Sequence, residues 1–312
     1  MKNRYLIWLE WPEKCFRAQA SDIAHLKSLV PDGSEVVHVR SERAFLRELP
    51  LATHAIVWNF KSEWFKAAKR LKVLATPAAG RELLPERGPD GVKIHFGHFH
   101  GPIIAESVAA FVLAWARGFF AVERHEGEWP RTWLSDKCSS VAGTKAVVVG
   151  YGHVGRAIGD KLEALGVEVV GVTRHGVFSG SRRISKTGGR NARQFASADW
   201  CILALPSTTG TDDWLDVSLI ARLPRRCVVV NVGRGNAVDE KALCAALKAR
   251  RIAGAYLDVR RHEPSATVLE VPGYVKEIDG LPNCVVMPHS SAFDERYLRI
   301  CFDELKEDGC LR

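Results

Sequence analysis

Apolar runs and amphipathic segments alternate along the first hundred residues. The runs predict β-strands at 5–9, 35–39, 54–58, 72–75 and 92–97, and the segments between them show helical spacing at 21–30, 41–49 and 61–70. Strands that alternate with helices predict parallel βαβ units with right-handed crossovers.

A second alternating series begins at residue 145. It predicts strands at 145–149, 167–172, 200–204, 227–232, 254–258 and 284–287, and helices at 155–165, 217–222, 240–250 and 293–306. Asp216 is placed to cap the helix at 217–222. The stretch 176–190 is rich in Gly, Ser and Arg and predicts an exposed loop.

A strongly apolar segment at 103–117 separates the two series. It has helical periodicity, and Pro102 is suited to its first turn. Its length and hydrophobicity predict a helix buried between domains or between subunits.

Composition excludes several classes of protein. With 46% hydrophobic and 26% charged residues the chain can bury an ordinary core, and no apolar run approaches the ~18 residues of a membrane span. The apolar part of the N-terminus meets Glu10 at once, so we interpret it as a first strand rather than a signal peptide. Eight scattered cysteines without a C-x-x-C pair argue against disulfides and structural zinc, and indicate a reducing, cytoplasmic location.

The net charge of +8 raises the question of nucleic-acid binding. Its 44 basic and 36 acidic residues are interspersed, without a Lys/Arg block or an RNA-binding signature. We therefore expect no nucleic-acid partner and no membrane partner, but a mildly basic surface that favours anionic ligands.

A glycine-rich turn lies between a predicted strand and a predicted helix. Its sequence, Gly150-Tyr151-Gly152-His153-Val154-Gly155, is the G-x-G-x-x-G of dinucleotide-binding folds, and we predict all six residues as cofactor-binding. Gly150 permits a tight turn, Gly152 lets a pyrophosphate approach the backbone, and Gly155 lets helix and strand pack closely. The helix N-terminus offers N–H donors to the phosphates. The alternative is a purely structural strand–helix turn.

The end of the next predicted strand bears on the choice of cofactor. NAD sites place an acid there, whereas this strand ends in Thr173-Arg174-His175. A carboxylate would repel a 2′-phosphate, but Thr173 can donate a hydrogen bond and Arg174 a charged fork. We therefore predict NADP(H) in preference to NAD(H), with NAD(H) still possible and with Arg182 and Arg183 as further sources of positive charge. The alternative is that Arg174 only faces solvent.

Three chemically distinct side chains follow three predicted strands. They are Arg234, Glu263 and His289. Carboxyl ends of parallel strands border the ligand crevice of an open sheet. Reduction of a 2-keto acid needs a cation for the substrate carboxylate and a proton donor for the ketone oxygen, and this set offers both. The alternative for each residue is a structural role.

The segments around these residues resemble signatures of the D-isomer-specific 2-hydroxyacid dehydrogenase family. They are Val230-Asn231-Val232-Gly233-Arg234-Gly235 with Val238-Asp239-Glu240, Leu257-Asp258-Val259 with Glu263-Pro264, Met287-Pro288-His289-Ser290, and the upstream His100-Gly101-Pro102-Ile103-Ile104-Ala105-Glu106. The resemblance runs from about residue 72 onward. Glyoxylate/hydroxypyruvate reductases look most similar, because of the Thr173-Arg174 tip, and phosphoglycerate dehydrogenase-like members come next.

The resemblance implies a role for each residue. Arg234 would bind the substrate carboxylate and carbonyl oxygen, His289 would be the general acid in reduction, and Glu263 would orient His289. The backbone N–H groups of Ala79 and Gly80 would help to hold the carboxylate, although the neighbouring Arg81 and Glu82 depart from the family's usual apolar residue and Asp. Asp258 would face the nicotinamide carboxamide. The residues implied to line the cofactor further are Leu205, Pro206 and Val232.

We expect an α/β protein with a Rossmann-type doubly wound parallel sheet in the cofactor domain (99–289) and a smaller flavodoxin-like α/β substrate domain (1–98, completed by 290–312). The expected function is NADPH-dependent reduction of a small 2-keto acid of the glyoxylate or hydroxypyruvate type to the D-2-hydroxy acid, by a homodimer. Two alternatives stay open: a cofactor-sensing binding protein of the corepressor type, and a different enzyme built on a Gly-rich turn, such as a methyltransferase.

The histidines His95, His98 and His100 lie as densely as metal ligands do. No Cys, Asp or Glu joins them at ligand spacing in the sequence, so we expect no metal site.

Overall fold

The computed structural model describes residues 2–123, 131–179, 182–186, 188–264 and 271–312. They divide into two compact units, Met1–His100 with Phe293–Arg312, and Gly101–Ala292. The strands are β1 (Arg4–Trp8), β2 (Glu35–His38), β3 (His54–Val57), β4 (Val73–Thr76), β5 (Lys93–Phe96), β6 (Lys145–Val149), β7 (Glu168–Thr173), β8 (Gly176–Ser179), β9 (Arg182–Ser185), β10 (Trp200–Leu203), β11 (Val228–Asn231), β12 (Gly254–Leu257) and β13 (Cys284–Val286). The α-helices are α1 (Ala20–Leu29), α2 (Glu42–Glu48), α3 (His100–Ala116), α4 (Phe119–Glu123), α5 (Arg131–Ser135), α6 (His153–Glu163), α7 (Val217–Ile220), α8 (Glu240–Lys248) and α9 (Tyr297–Glu307).

The first unit contains a five-stranded sheet with the order β2-β1-β3-β4-β5, in which all pairs are parallel. This is the strand order of flavodoxin-like folds and confirms the expected fold of the smaller domain. Its core includes the buried side chains of Leu6, Phe45, Trp64 and Leu74. Each buried aliphatic or aromatic side chain of this kind contributes roughly 1.5–3 kcal/mol.

The C-terminal helix α9 belongs to this first unit and packs against α1. Arg299 Nε donates to Asp22 Oδ1 at 3.2 Å, and His25 Nε2 lies 2.7 Å from Asp303 Oδ1. At the end of the helix Lys306 Nζ donates to the Leu29 carbonyl at 2.6 Å. The last residues of the chain therefore complete a unit that the first hundred residues begin.

The second unit contains an eight-stranded sheet with the order β13-β12-β11-β10-β6-β7-β8-β9. The strands from β13 to β7 are parallel, and β8 and β9 pair antiparallel. The chain begins this sheet at β6 and adds strands on either side of it, as a doubly wound Rossmann-type fold does. The expected fold class is confirmed.

Both faces of this second sheet are buried. Along β6, Val147 and Val149 pack into one apolar cluster, while Ala146 and Val148 pack into another. Side chains alternate between the two faces of a strand, so helices on both faces produce a continuous apolar run instead of an alternating pattern. This is why the run Ala146–Val149 reads as uniformly hydrophobic.

Two local predictions were wrong. The stretch 176–190 is not wholly a loop, because β8 and β9 form an antiparallel hairpin in it and Val177 is fully buried. The predicted helix at 61–70 is reduced to a short 3₁₀ helix, Ser62–Lys66. Asp216 does cap its helix, accepting from the backbone N–H groups of Ser218 and Leu219.

Within the described ranges, no helix combines the length and apolar character needed to cross a bilayer. The eight cysteines are all free thiols, which agrees with the scattered cysteine spacing of the sequence.

Candidate functional site

The glycine-rich turn connects β6 directly to α6. Gly150 has φ +87°, and a Cβ at this position would lie 2.5 Å from the carbonyl oxygen of Ala204, so a larger residue is excluded twice over. A Cβ on Gly155 would lie 2.2 Å from the Gly150 carbonyl. Gly152 is the N-cap of α6, and a Cβ there would meet nothing within 4 Å. The turn is therefore closed on the protein side and open at the helix N-terminus, as an anion site requires.

The other predicted residues of this turn divide by environment. Tyr151 is buried, and its ring fills the space beside Gly159 and Gly171, where a Cβ would lie within 3 Å of it. Its side chain therefore positions α6 on β7. The side chain of His153 is exposed and that of Val154 is half-buried, both in the first turn of α6.

The loops at the carboxyl ends of neighbouring strands contact one another through glycine backbone. A Cβ on Gly233, after β11, would lie 2.5 Å from the amide nitrogen of Leu205, after β10. A Cβ on Gly235 would lie 1.9 Å from the carbonyl carbon of Arg260, after β12. With the contact between Gly150 and Ala204, these approaches join the loops after β6, β10, β11 and β12 into one edge. The predicted residues Leu205, Pro206 and Val232 belong to this edge.

Glu263 and His289 meet at the same edge. His289 Nδ1 lies 3.0 Å from Glu263 Oε2, and the backbone N–H of Arg260 donates to Glu263 Oε1 at 3.2 Å. Both side chains are part-exposed, 49% for His289 and 39% for Glu263. With Nδ1 used by Glu263, Nε2 is the ring nitrogen that remains to face a ligand.

Arg234 acts on this pair through its charge. The hydrogen bond with Glu263 raises the pKa of His289 above 6.5, against the effects of burial and of the Arg234 charge. Burial alone would raise the pKa of Glu263, but the hydrogen bond to His289 and the charges of His289 and Arg234 hold it below 4.5. The structure thus brings the three predicted side chains, distant in sequence, within electrostatic range of one another.

The backbone at His289 is in the left-handed region, with φ +55°. Such a conformation in a non-glycine residue costs on the order of 1–3 kcal/mol and persists only when its surroundings hold it. The surroundings here are Asp258. Its carbonyl accepts from His289 N at 2.8 Å, and its carboxylate accepts from the N–H groups of Ser290 (2.9 Å) and Ser291 (3.0 Å).

Asp258 therefore has a structural task that the sequence did not indicate. Its side chain is buried, which raises its pKa although the hydrogen bonds from Ser290 and Ser291 oppose the rise. The predicted contact of Asp258 with a nicotinamide carboxamide stays a prediction.

The predicted determinants of cofactor choice behave differently from each other. The hydroxyl of Thr173 donates to the Gly176 carbonyl at 3.0 Å, which engages its proton in the turn to β8, and its predicted contact with a 2′-phosphate stays a prediction. Arg174 is exposed at the tip of β7, and its Nη2 would lie 3.3 Å from a Cβ on Gly210 in the loop after β10. Because β6 lies between β7 and β10, the guanidinium reaches over the strand that carries the glycine-rich turn. The side chains of Arg182 and Arg183 lie outside the described part of the structure.

Ala79 and Gly80 lie in the first unit, in the bend after β4. Ala79 is exposed and Gly80 half-buried. The bend is anchored by Ala78, whose N–H donates to Thr76 Oγ1 at 3.2 Å and whose carbonyl accepts from Gly97 N at 3.0 Å. Their contact with a substrate carboxylate stays a prediction.

Sequence reasoning missed two residues that hold the site in place. Asn231, the last residue of β11, donates to the Arg234 carbonyl at 3.1 Å and accepts from Gly233 N at 3.2 Å, which fixes the turn that presents Arg234. The buried Arg260 forms a fork with both oxygens of Glu240 (3.0 and 3.1 Å) and also binds Asp279 at 2.6 Å. A polar Asn at the end of a buried strand is a sequence signal that could have identified Asn231 as a residue that fixes the turn. The sequence spacing of Arg260 and Glu240 gives no sign that they pair.

Comparison with known proteins agrees with this fold. Residues 109–291 match the family model described as D-isomer specific 2-hydroxyacid dehydrogenase, NAD binding domain. D-3-phosphoglycerate dehydrogenase 1 of Saccharomyces cerevisiae is 30% identical over 195 residues, 60% of this chain and 40% of that protein. Glyoxylate reductase of Thermococcus kodakarensis is 27% identical over 242 residues, 73% of this chain and 69% of that protein. The chain thus spans less than half the length of the first of these relatives.

A solved structure shares the fold over the whole chain. The D-isomer specific 2-hydroxyacid dehydrogenase of Lactobacillus delbrueckii ssp. bulgaricus, in its NAD-complexed form, superposes with a TM-score of 0.78 at 16% identity, over 99% of this chain and 96% of that one. The doubly wound sheet and its glycine-rich turn define a protein with a dinucleotide-binding domain. The chain belongs to the D-isomer-specific 2-hydroxyacid dehydrogenase family.

Proposed function

We propose that the chain is an NADPH-dependent reductase that converts a small 2-keto acid to the D-2-hydroxy acid. The observation that carries this proposal is the His289–Glu263 pair, with its 3.0 Å hydrogen bond and the charge of Arg234 beside it, on the strand-end edge that also holds the glycine-rich turn. The pairing with Glu263 raises the pKa of His289 at an edge where a ligand can bind, and shifted pKa values of this kind cluster at functional sites. The second unit is the cofactor domain in this proposal, and the first is the substrate domain.

Each of the three side chains takes a different part in the reaction. Arg234 binds the substrate carboxylate and polarises the ketone through its guanidinium, which matches a carboxylate in geometry and charge. His289, protonated through its pairing with Glu263, holds a proton on Nε2 for the ketone oxygen. Glu263 keeps the ring in one orientation and stabilises its cationic form.

The step balances as a two-electron reduction. A nicotinamide cofactor held at the glycine-rich turn would supply the hydride for the carbonyl carbon of the substrate. The π-electron pair of the C=O bond moves to oxygen, which takes the proton from His289 Nε2, and His289 is left neutral and hydrogen-bonded to Glu263. The reverse reaction uses the same groups, with His289 as the base.

The residues present fit a dinucleotide. The α6 N-terminus presents backbone N–H groups at Gly152, where no neighbouring atom would meet a side chain. The guanidinium of Arg174 reaches Gly210 in the loop after β10 and offers a charged fork for a 2′-phosphate. No acid occupies the tip of β7. These features support NADPH over NADH.

The substrate class follows from the same reasoning at a coarser level. A small 2-keto acid such as glyoxylate or hydroxypyruvate fits one guanidinium and one general acid, and the likeness to glyoxylate reductase of T. kodakarensis supports it. Because the chain is also similar to D-3-phosphoglycerate dehydrogenase 1, 3-phosphohydroxypyruvate is the alternative substrate that an assay must include.

The test is oxidation of NADPH, followed by absorbance, with a panel of 2-keto acids that includes those three. Arg234→Ala and His289→Ala should each lower kcat/KM by roughly 10²–10⁴-fold while NADPH binding survives. Arg225→Ala is the control, since Arg225 is an exposed arginine that precedes β11 at the opposite edge of the sheet. Unaltered turnover in folded variants would refute the roles, and NADPH binding without turnover on any keto acid would favour a cofactor-sensing protein.

Arg174→Ala tests the cofactor assignment separately. The substitution should raise KM for NADPH by about tenfold or more and leave KM for NADH nearly unchanged, because only the 2′-phosphate loses a charged hydrogen bond. The comparison is again with Arg225→Ala. An NADPH/NADH ratio equal to that of the wild-type protein would remove Arg174 from the 2′-phosphate site.

A further inference from the structure

Two histidines and two carboxylates converge within the first unit. His95 lies on β5 and His98 just after it, while Glu304 lies on α9 and Asp308 at its C-cap. One ligand atom from each of the four residues lies within 4.8 Å of the others. No acid stands at ligand spacing from these histidines in the sequence, but α9 returns to β5 more than 200 residues later in the chain and supplies two carboxylates.

The buried carboxylate of Glu304 fixes both imidazole rings. It lies 3.0 Å from His95 Nε2 through Oε1 and 3.2 Å from His98 Nδ1 through Oε2. The backbone N–H of His98 donates to the same carboxylate at 3.1 Å. Metal-binding histidines usually have such a carboxylate on the nitrogen that does not coordinate, because it sets the orientation of the ring and increases the basicity of the ligand.

The opposite nitrogens of both rings face one oxygen atom. Asp308 Oδ2 lies 3.6 Å from His95 Nδ1 and 3.7 Å from His98 Nε2. These separations exceed a hydrogen bond and approach the spacing of about 3.3–3.5 Å between ligand atoms around a tetrahedral ion with bonds of about 2.0–2.1 Å. An ion bound by these three atoms would draw Asp308 Oδ2 closer to each ring nitrogen by roughly a few tenths of an ångström. The thiol of Cys310 donates to the Asp308 carbonyl, which places a soft donor beside the cluster.

Two carriers of positive charge could offset the two carboxylates. Burial alone would lower the pKa of His95, but its hydrogen-bonding and charged neighbours raise it to about 9, so a protonated imidazole serves in the metal-free protein. A divalent cation would take over that role with both imidazoles neutral. Imidazole and carboxylate ligands suit Zn²⁺ and its close chemical relatives, whereas Ca²⁺ and Mg²⁺ prefer sets made of oxygen alone.

We propose that one divalent transition-metal ion of the zinc type binds to His95, His98 and Asp308 and so connects α9 to the end of β5. Glu304 orients the two imidazole rings through their other nitrogens. The competing interpretation is a metal-independent ion-pair network of the same four side chains. The metal site predicts that the protein binds one equivalent of metal, whereas the ion-pair network predicts none, so a binding experiment distinguishes them.

The experiment uses the full chain after treatment with a chelator. Isothermal titration with Zn²⁺, Co²⁺ absorption and the shift of Tm on adding Zn²⁺ are measured for the wild-type protein, His98→Gln and Asp308→Asn. These two side chains are 43% and 37% exposed, so the variants should fold. Asp303→Asn is the matched control, because it removes a carboxylate of the same helix whose partner is His25, outside the cluster.

We expect one equivalent of Zn²⁺ to bind to the wild-type protein and to Asp303→Asn, with a rise in Tm. His98→Gln and Asp308→Asn should bind at least about tenfold more weakly, with a smaller shift of Tm. Absence of stoichiometric binding in the wild-type protein, or equal affinity in all four proteins, would overturn the proposal and leave the ion-pair network. Because none of these readouts is catalytic, the outcome is independent of the proposed reductase activity.

Discussion

Gly152 shows how a single position can serve a ligand and not the fold. A Cβ there would meet nothing in the protein, whereas a Cβ on Gly155 would lie 2.2 Å from the Gly150 carbonyl. Gly152 therefore leaves room for a phosphate, whereas Gly155 lets α6 approach β6. The same motif thus contains residues with two separable physical roles.

Substituting these glycines should separate the two roles. Gly152→Ala should lower the affinity for NADPH by about tenfold or more, since the methyl group occupies the approach of the pyrophosphate, while Tm changes little. Gly155→Ala should lower Tm, because helix and strand must move apart. Fluorescence titration and thermal unfolding measure both effects, and a Gly152→Ala variant with wild-type affinity would mean that the phosphates bind elsewhere.

Glu263 offers a prediction about pH. Reduction needs protonated His289, so the rate is full at low pH and is lost as pH rises through the pKa of His289, which Glu263 raises above 6.5. Glu263→Gln keeps an oxygen acceptor but removes the charge. The descending limb of the kcat/KM profile should therefore move to lower pH. Glu277→Gln, at an exposed carboxylate, is the control, and an unshifted limb would separate Glu263 from the proton donor.

At the scale of elements, the sequence predicted the parallel strands of both sheets to within one or two residues, because fully buried parallel strands such as Ala146–Val149 are uniformly apolar. It missed the β8–β9 hairpin, whose composition of Gly, Ser and Arg is typical of loops and whose pairing depends on the adjacent β7. It also overestimated the helix at 61–70, where only the 3₁₀ helix Ser62–Lys66 forms.

Only some residues of the candidate site could be predicted from the sequence. Arg234, Glu263 and His289 each follow a strand, so the topology alone places them at one edge. The partners of Arg260 and of His95 could not be predicted, since Glu240, Glu304 and Asp308 come from helices whose packing partners no sequence spacing encodes.

The ion pairs of Arg260 connect the start of α8 to the loop after β12, which carries Glu263. Arg260 is buried and forks onto Glu240, so Arg260→Met leaves a buried carboxylate without its cation. We expect a loss of about 3–5 kcal/mol in the free energy of unfolding. Urea denaturation measures it, and the double variant Arg260→Met/Glu240→Met should recover part of the loss. A single variant as stable as the wild-type protein would contradict this account.

At the scale of the whole molecule, the apolar helix α3 and its neighbour α4 leave large hydrophobic side chains in contact with solvent. Leu113 is 37% and Phe119 67% exposed. Exposed apolar groups close together in sequence and on neighbouring helices are typical of a surface that another chain covers. They support the homodimer that the family resemblance implies, with residues 103–117 near its interface.

The double variant Leu113→Glu/Phe119→Glu tests that surface. Light scattering after size exclusion should give twice the chain mass for the wild-type protein and a single chain mass for the variant, because burying two carboxylates at an interface is costly. Val217→Glu is the control, since Val217 is as exposed as Phe119 and lies on α7. A wild-type protein that elutes as a monomer, or a variant that stays dimeric, would exclude this surface.

The return of residues 293–312 to the first unit has a consequence for biosynthesis. The second unit is continuous in the chain, so it can fold on the ribosome as soon as residue 292 has left the exit tunnel. The first unit is begun earliest but finished last, because α1 must wait for α9 with its Arg299 and Lys306 contacts. Until then nascent chains expose the face of α1 that α9 contacts, and we expect chaperones that recognise apolar surfaces to engage the amino-terminal hundred residues until residues 293–312 have been synthesised.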